Sequence, residues 1–186
     1  MLKVTSKCIP DQPYGIHDDE TEEVAVPKII ELAKEWKDID ALIISCAGDP
    51  AVKELREILD IPVIGAGEST ALLAKRYGRV FGVLGITEEA PRAYREILGD
   101  DNIVGSADVP GIVSTIDLME ETGREKVIHK ALELKKLGAQ VIPLACTGMA
   151  TIGIAKELEE VCKIPVIDPV IAEGLFTYYE CIRKQY

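Results

Sequence analysis

Cys46 and Cys146 are the residues of this chain best suited to chemistry, and they stand one hundred positions apart in matched settings. Ala41-Leu-Ile-Ile-Ser-Cys46-Ala-Gly-Asp-Pro50 is answered by Val141-Ile-Pro-Leu-Ala-Cys146-Thr-Gly-Met-Ala150. Each is an apolar run ending in Cys, with Gly two residues later and a helical pattern after it. Each is followed by nearly the same phrase, Ile61-Pro-Val-Ile-Gly65 and Ile164-Pro-Val-Ile-Asp168. One thiol per copy at one structural position implies two thiols related by a pseudo-two-fold axis. Two facing thiols suit proton transfer at a carbon beside a carbonyl. One thiolate removes the proton, the other thiol returns one to the opposite face, and a stereocentre inverts.

Other uses of the thiols fit less well. A cysteine hydrolase wants a histidine to take its proton. The two histidines, His17 in a loop and His129 in a helix body, are both read as solvated. There is no CxxC and no ligand cluster of the kind a zinc site needs, so neither metal nor cofactor is expected. Cys8, Cys162 and Cys181 are read as buried structural cysteines, since free Cys is among the most buried residue types.

The elements that position the thiols follow from periodicity. Strand-like runs at Leu2–Ser6, Ala41–Ser45, Ile61–Ile64, Val80–Ile86, Asn102–Ala107, Val141–Ala145 and Pro165–Asp168 alternate with helical patterns. The helices are expected over 22–36, 50–59, 68–77, 88–98, 118–137, 150–162 and 171–183, with Thr87 capping the fourth. Val109–Thr115 reads as loop. This alternation predicts an α/β fold with parallel sheets, arranged as two pseudo-symmetric flavodoxin-like lobes. The first lobe is expected over 1–79, with 169–186 returning to it, and the second over 80–168. In open parallel sheets ligands sit beyond the carboxyl ends of the strands, where both cysteines fall, so one cleft between the lobes is expected. The sulfurs are expected on opposite sides of it, roughly 6–9 Å apart. Gly48 and Gly148 are expected to turn the backbone and free N–H groups for an anionic oxygen. A helix N-terminus after each Cys is expected to lower the thiol pKa.

Composition narrows the partners. The 186 residues are 47% apolar and carry a net charge of −11 with no basic run, which argues against nucleic acid and anionic membrane. No apolar run approaches the roughly 18 residues of a membrane span, and the N-terminus does not read as a signal peptide. The expectation is a cytoplasmic protein with a small-molecule substrate.

Cys46-Ala-Gly-Asp-Pro50, Ile61-Pro-Val-Ile-Gly-Ala-Gly-Glu68, Cys146-Thr-Gly-Met149 and Ile164-Pro-Val-Ile-Asp168 resemble the aspartate/glutamate/hydantoin racemase superfamily. The Cys-x-x-Asp-Pro element and the Pro-Val-Ile-Asp phrase are most similar to its hydantoin racemase branch. The resemblance implies cofactor-independent two-base chemistry, two α/β lobes and a homo-oligomer. By position it implies Cys46 and Cys146 as the acid/base pair. Ala47, Gly48, Thr147 and Gly148 would follow them on the substrate side, the last three as donors to substrate carbonyls. Gly67 and Glu68 would open a helix near the site, and Thr87 would touch substrate from its strand end.

Departures refine the expectation. Amino-acid racemases of the superfamily usually follow the first Cys with Asn-Thr and the second with Thr and often His; here Ala47-Gly48 and Thr147-Gly148 stand instead. Arylmalonate decarboxylases keep only the second Cys. A neutral or weakly acidic ring such as a 5-substituted hydantoin is therefore the expected substrate. An aspartate/glutamate-type racemase, a cis–trans isomerase and a non-catalytic two-lobed binding protein are the alternatives. The repeat also keeps step ahead of the cysteines, because Val4 and Val104 each lie 42 residues upstream. The second copy has a further strand and helix before that point. About twenty or more residues are thus expected to be lacking from the first copy. The first lobe should then hold three strands to the second lobe's four, with a gap or an intruding segment in the vacancy.

Overall fold

A computed structural model describes residues 2–12 and 14–183; residues 1, 13 and 184–186 of the expected first lobe lie outside them. Among the described residues, four short strands form two parallel pairs. In the first half, β1 (Leu42–Ile44) pairs with β2 (Val63–Gly65) in the register Leu42↔Val63 to Ile44↔Gly65. In the second half, β3 (Ile142–Pro143) pairs with β4 (Val166–Ile167). Isolated parallel bridges widen this second sheet: Phe81 bridges both Ile103 and Val141, and Leu84 bridges Leu144. Pro143 accounts for the pairing with residues 81–84 staying as isolated bridges, because Ile142 and Leu144 donate on the β4 side and the position of Pro143 faces the other side. It has no N–H to give the ladder, although its carbonyl still accepts from Leu84 N at 3.1 Å.

Helices cross over between the strands. The first, α1 (Asp19–Glu35), is opened by a capping box in which Asp18 accepts from Thr21 N and the Thr21 hydroxyl answers the Asp18 backbone. Then come α2 (Val52–Ile58), α3 (Ala66–Ala74) and α4 (Arg92–Leu98). The second half adds α5 (Gly123–Lys136), α6 (Thr147–Thr151), α7 (Ala155–Cys162) and α8 (Pro169–Arg183). No helix among the described residues is long and apolar enough to cross a membrane.

Three buried clusters hold these elements. One packs α5 and α7 on β3 through Val127, Leu134, Ile142 and Leu158. One lies under α1 and α2 with Leu55 at its centre. The third joins them, combining Ala71 and Ala74 of α3 with Phe81, Tyr94, Val141, Ile167 and Ala172. Helix α8 packs against α3 and β2. Fully burying a side chain such as Leu55 contributes about 1.5–3 kcal/mol, so the packed clusters, rather than the two- and three-residue strands, carry most of the stability.

Several local expectations are corrected. Leu2–Ser6 forms no strand: residues 2–9 are without regular structure, Val4 is 66% exposed, and no described segment offers them a ladder. Strand propensity becomes a strand only against a partner. The described first half accordingly has two regular strands rather than three, and the second half has two plus bridges rather than four. The single helix expected from Leu118 is a 3-10 turn at Asp117–Met119 followed by α5. The helix expected over 150–162 is split into α6 and α7, with Gly153 at φ +63 between them. Thr87 caps nothing. Pro91 precedes α4, and the Thr87 hydroxyl donates to Glu89 O at 2.8 Å.

Candidate active site

Cys46 follows β1 and Cys146 follows β3, each just past the carboxyl end of its strand. Both line one open cavity of about 2170 Å³. That is larger than a single small ligand fills. The cavity runs from residues 2–9 past α1 to the strand ends. Thr147 Oγ1 donates to Ser45 O at 3.4 Å, which ties the residue after one cysteine to the residue before the other.

Only Cys146 directly precedes a helix. Its backbone is extended, and α6 begins at Thr147. Cys46 instead enters a turn, and α2 starts six residues later at Val52. The sharp bend expected of Gly48 is carried by Asp49 (φ 56) and Ala51 (φ 61). The strain at Asp49 is offset by its carboxylate, which accepts from Gly67 N at 2.7 Å and Glu68 N at 2.6 Å. Asp49 thereby caps α3 and pins the Cys46 turn to it. Gly67 is required for this approach. A Cβ there would collide with the carbonyl oxygen of Ala47 and lie 2.9 Å from Asp49 Oδ2.

Burial sets the electrostatics, and it reverses the expected thiol shift. Desolvation pushes the Cys46 thiol up to about 12, against the pull of the Gly48 N–H, and the nearby Cys146 adds to the rise. Desolvation also raises Cys146, although the Gly148 and Met149 N–H groups favour its thiolate. The local donors are present as the sequence implies, but removing a thiolate from water outweighs them. Asp49 is raised by burial to about 6 despite its two N–H partners. Glu22 of α1, whose carboxylate lies 4.0 Å from where a Gly48 Cβ would be, is raised by burial and by Asp19 and Glu54. Glu173 of α8, 5% exposed, is raised by burial to about 7 and accepts from Ser45 Oγ at 2.8 Å. The walls near the cysteines are therefore rich in carboxyl groups.

Of the residues expected at the site, Cys46, Ala47, Gly48, Thr87, Glu68, Cys146 and Thr147 line the cavity. Gly67 and Gly148 lie behind its walls, Gly148 packed beside Leu118 and Thr115. Ala47 is 2% exposed and packs into the central cluster. The Glu68 carboxylate is paired with Arg56 at 2.8 Å. Two readings change. His17 is only partly solvated: its side chain is 28% exposed, it lines the cavity, and its Nδ1 is enclosed without a partner. Cys8 is exposed, whereas Cys162 is buried and Cys181 half-buried.

The sequence reading missed Ser45, Glu173, Glu22, Thr115 and the pinning role of Asp49. Glu173 left one signal, a lone carboxylate in the apolar stretch Val170-Ile-Ala-Glu-Gly174. Tyr94 is a buried support whose hydroxyl donates to Leu144 O at 2.8 Å, two residues before Cys146. No group of three His, Cys, Asp or Glu among the described residues is placed to hold a metal ion.

The family model described as Asp/Glu/Hydantoin racemase matches residues 2–173. A hydantoin racemase of Paenarthrobacter aurescens is 30% identical over 148 residues, covering 77% of this chain and 62% of the relative. A hydantoin racemase of Pseudomonas sp. (strain NS671) is 28% identical over 167 residues, covering 86% and 66%. The chain thus spans just under two thirds of the length of these two curated relatives. Among solved structures, allantoin racemase from Klebsiella pneumoniae superposes with a TM-score of 0.76 at 26% identity, covering 89% of this chain and 69% of that one. A glutamate racemase from Bacillus anthracis, at TM-score 0.71 and 22% identity over 94% and 68%, shares the fold.

Proposed function

Since the chain belongs to the Asp/Glu/hydantoin racemase family, we propose that it is a cofactor-independent racemase acting on 5-substituted hydantoins by proton transfer between Cys46 and Cys146. The observation that carries this reading is the opening of both thiols, from the ends of two parallel strand pairs, onto one cavity. In one direction the Cys46 thiolate takes the proton from ring carbon C5, and the C–H electron pair moves to the adjacent carbonyl oxygen. The Cys146 thiol then protonates C5 from the other face. The product is the opposite enantiomer, and the proton inventory of the two sulfurs is exchanged. The other hand of substrate uses the same path in reverse. Backbone N–H groups of Gly48 and Gly148 stabilise each thiolate in turn.

A neutral ring is favoured by the charges around the thiols. Glu22, Asp49 and, once ionised above about pH 7, Glu173 would repel an α-carboxylate, and Arg56 is committed to Glu68. A hydantoin carries no such charge, and its ring carbonyl acidifies the C5–H. The raised thiol pKa values also make each thiolate a stronger base towards carbon once formed.

The test is incubation in heavy water with single enantiomers of 5-substituted hydantoins, allantoin, aspartate and glutamate. Deuterium at the stereocentre with loss of optical rotation is expected for the ureides only. Cys46→Ser and Cys146→Ser should each lower racemisation by at least a thousandfold while still exchanging the proton of one enantiomer. Full racemisation in either variant overturns the two-base assignment, and turnover of amino acids alone overturns the substrate class.

A further inference from the structure

Glu22 is a carboxylate with no assigned role beside one of the two thiols. It lies near the start of α1, half-buried, and lines the same cavity as Cys46. A Cβ added to Gly48 would stand 3.9 Å from Cys46 Sγ and 4.0 Å from Glu22 Oε2, with no other atom beyond its chain neighbours within 4 Å. Gly48, itself on the cavity wall, therefore leaves a gap one carbon wide, bounded by the thiol on one side and the carboxylate on the other. The Glu22 charge reaches the Cys46 thiol across it. Among the described residues no donor bonds Glu22 and no cation pairs with it, the charges that act on it being Asp19 and Glu54, both acidic. Its oxygens are not among the enclosed, partnerless atoms, so they stay open to the cavity. The backbone before Glu22 is fixed: Thr21 donates its N–H to Asp18, its hydroxyl accepts from His17 N at 3.0 Å, and its carbonyl accepts from Gln12 Nε2 at 3.0 Å.

We propose that Glu22 accepts the N–H of N1, the ring nitrogen bonded to C5 of a cyclic ureide, across the gap that Gly48 leaves beside Cys46. The inference rests on the hydantoin reading above and names the group that orients the ring. Cys46 takes its proton from C5, so C5 must sit at the sulfur. Only its direct ring neighbours, N1 and the C4 carbonyl, can then fall in a gap this narrow. A carboxylate beside the C4 carbonyl would oppose the negative charge that grows on that oxygen. Beside N1 the same carboxylate accepts a charge-assisted hydrogen bond. The ring is therefore held with N1 toward α1 and its C4 carbonyl turned away. The fixed turn at Thr21 sets the acceptor in place before the ligand arrives.

Calorimetric titration of the full chain with hydantoin, 1-methylhydantoin and 3-methylhydantoin at pH 8 tests this. Hydantoin has two hydrogens at C5 and is unchanged by proton exchange, so binding is read at equilibrium. For the native chain, methylation at N1 should weaken binding about tenfold or more, the worth of one hydrogen bond to a charged group, and methylation at N3 less than about twofold. Glu22→Leu removes the acceptor. Hydantoin should bind this variant about tenfold more weakly, and its N1-methyl penalty should fall below about twofold. Gly48→Ala, at a backbone conformation outside the left-handed region, fills the gap with a methyl group and should also weaken hydantoin binding about tenfold. An N3 penalty as large as the N1 penalty, an N1 penalty unchanged in Glu22→Leu, or native affinity in either variant overturns the inference and leaves the racemase reading standing. Failure of the native chain to bind hydantoin at all overturns the substrate class and the inference with it.

Discussion

Thr147 donates its hydroxyl to the carbonyl oxygen of Ser45 at 3.4 Å, so the chain segments bearing Cys146 and Cys46 are directly tied. Two proton-transfer groups must keep a fixed separation, because a misplacement of about 1 Å can cost a hundredfold in rate. Thr147→Val keeps the shape and removes the donor. It is expected to change stability by less than about 1 kcal/mol, as the bond is long and partly exposed, and to lower kcat about tenfold. Urea unfolding and steady-state racemisation on the same samples separate the two effects; a loss of stability without a loss of rate would make the contact merely structural.

The pH–rate profile follows from the raised thiols. With Cys46 pushed to about 12 and Cys146 raised, the thiolate fraction at neutral pH is small and grows with pH. Racemisation kcat/KM is expected to rise about tenfold per pH unit between roughly 7 and 9. A plateau reached below pH 8 would mean that the working thiolate is far less desolvated than its surroundings imply.

Asp49 pins the Cys46 turn to α3 through two backbone N–H groups. Asp49→Ala leaves both orphaned behind the turn and removes the compensation for the left-handed backbone at 49. The expected cost is about 1–3 kcal/mol, with kcat falling more than KM rises because the turn bearing Cys46 is released. Denaturant unfolding gives the first quantity and initial rates the second.

Glu173 links stability to pH. Its folded pKa of about 7 lies above the ordinary carboxylate value of 4.5, so the folded state holds this proton more tightly than the unfolded chain. The contribution is fully favourable below about pH 4.5 and is lost as pH rises through about 7. Asp49 and Asp168, the charges that act on Glu173, are present in both proteins, so comparison with Glu173→Gln isolates the one group. The variant is expected to match the native chain near pH 4.5 and to exceed it at pH 8 by a few kcal/mol, on the order of 3. Chemical denaturation at the two pH values checks the sign; a variant less stable at pH 8 would show the ionised carboxylate to be satisfied after all.

Much of the arrangement was legible in the chain. The apolar runs, the spacing of Cys46 and Cys146 and the repeated Ile-Pro-Val-Ile phrases determined which residues follow β1 and β3 and which strands pair with them, because strand runs and the turns after them are local properties. Gly67 was legible as a residue near the site, and its collision with Ala47 O explains why it is glycine. The tertiary structure alone decided the rest. Leu2–Ser6 has strand propensity but no neighbour, and a ladder is a property of two segments. The cysteine N–H donors are local, yet the thiols are raised rather than lowered, since desolvation depends on everything packed around a sulfur. Glu173 lies 128 residues from Ser45 in sequence. Nothing local announces that the two meet, or that folding encloses the other carboxyl oxygen of Glu173 without a donor beside it.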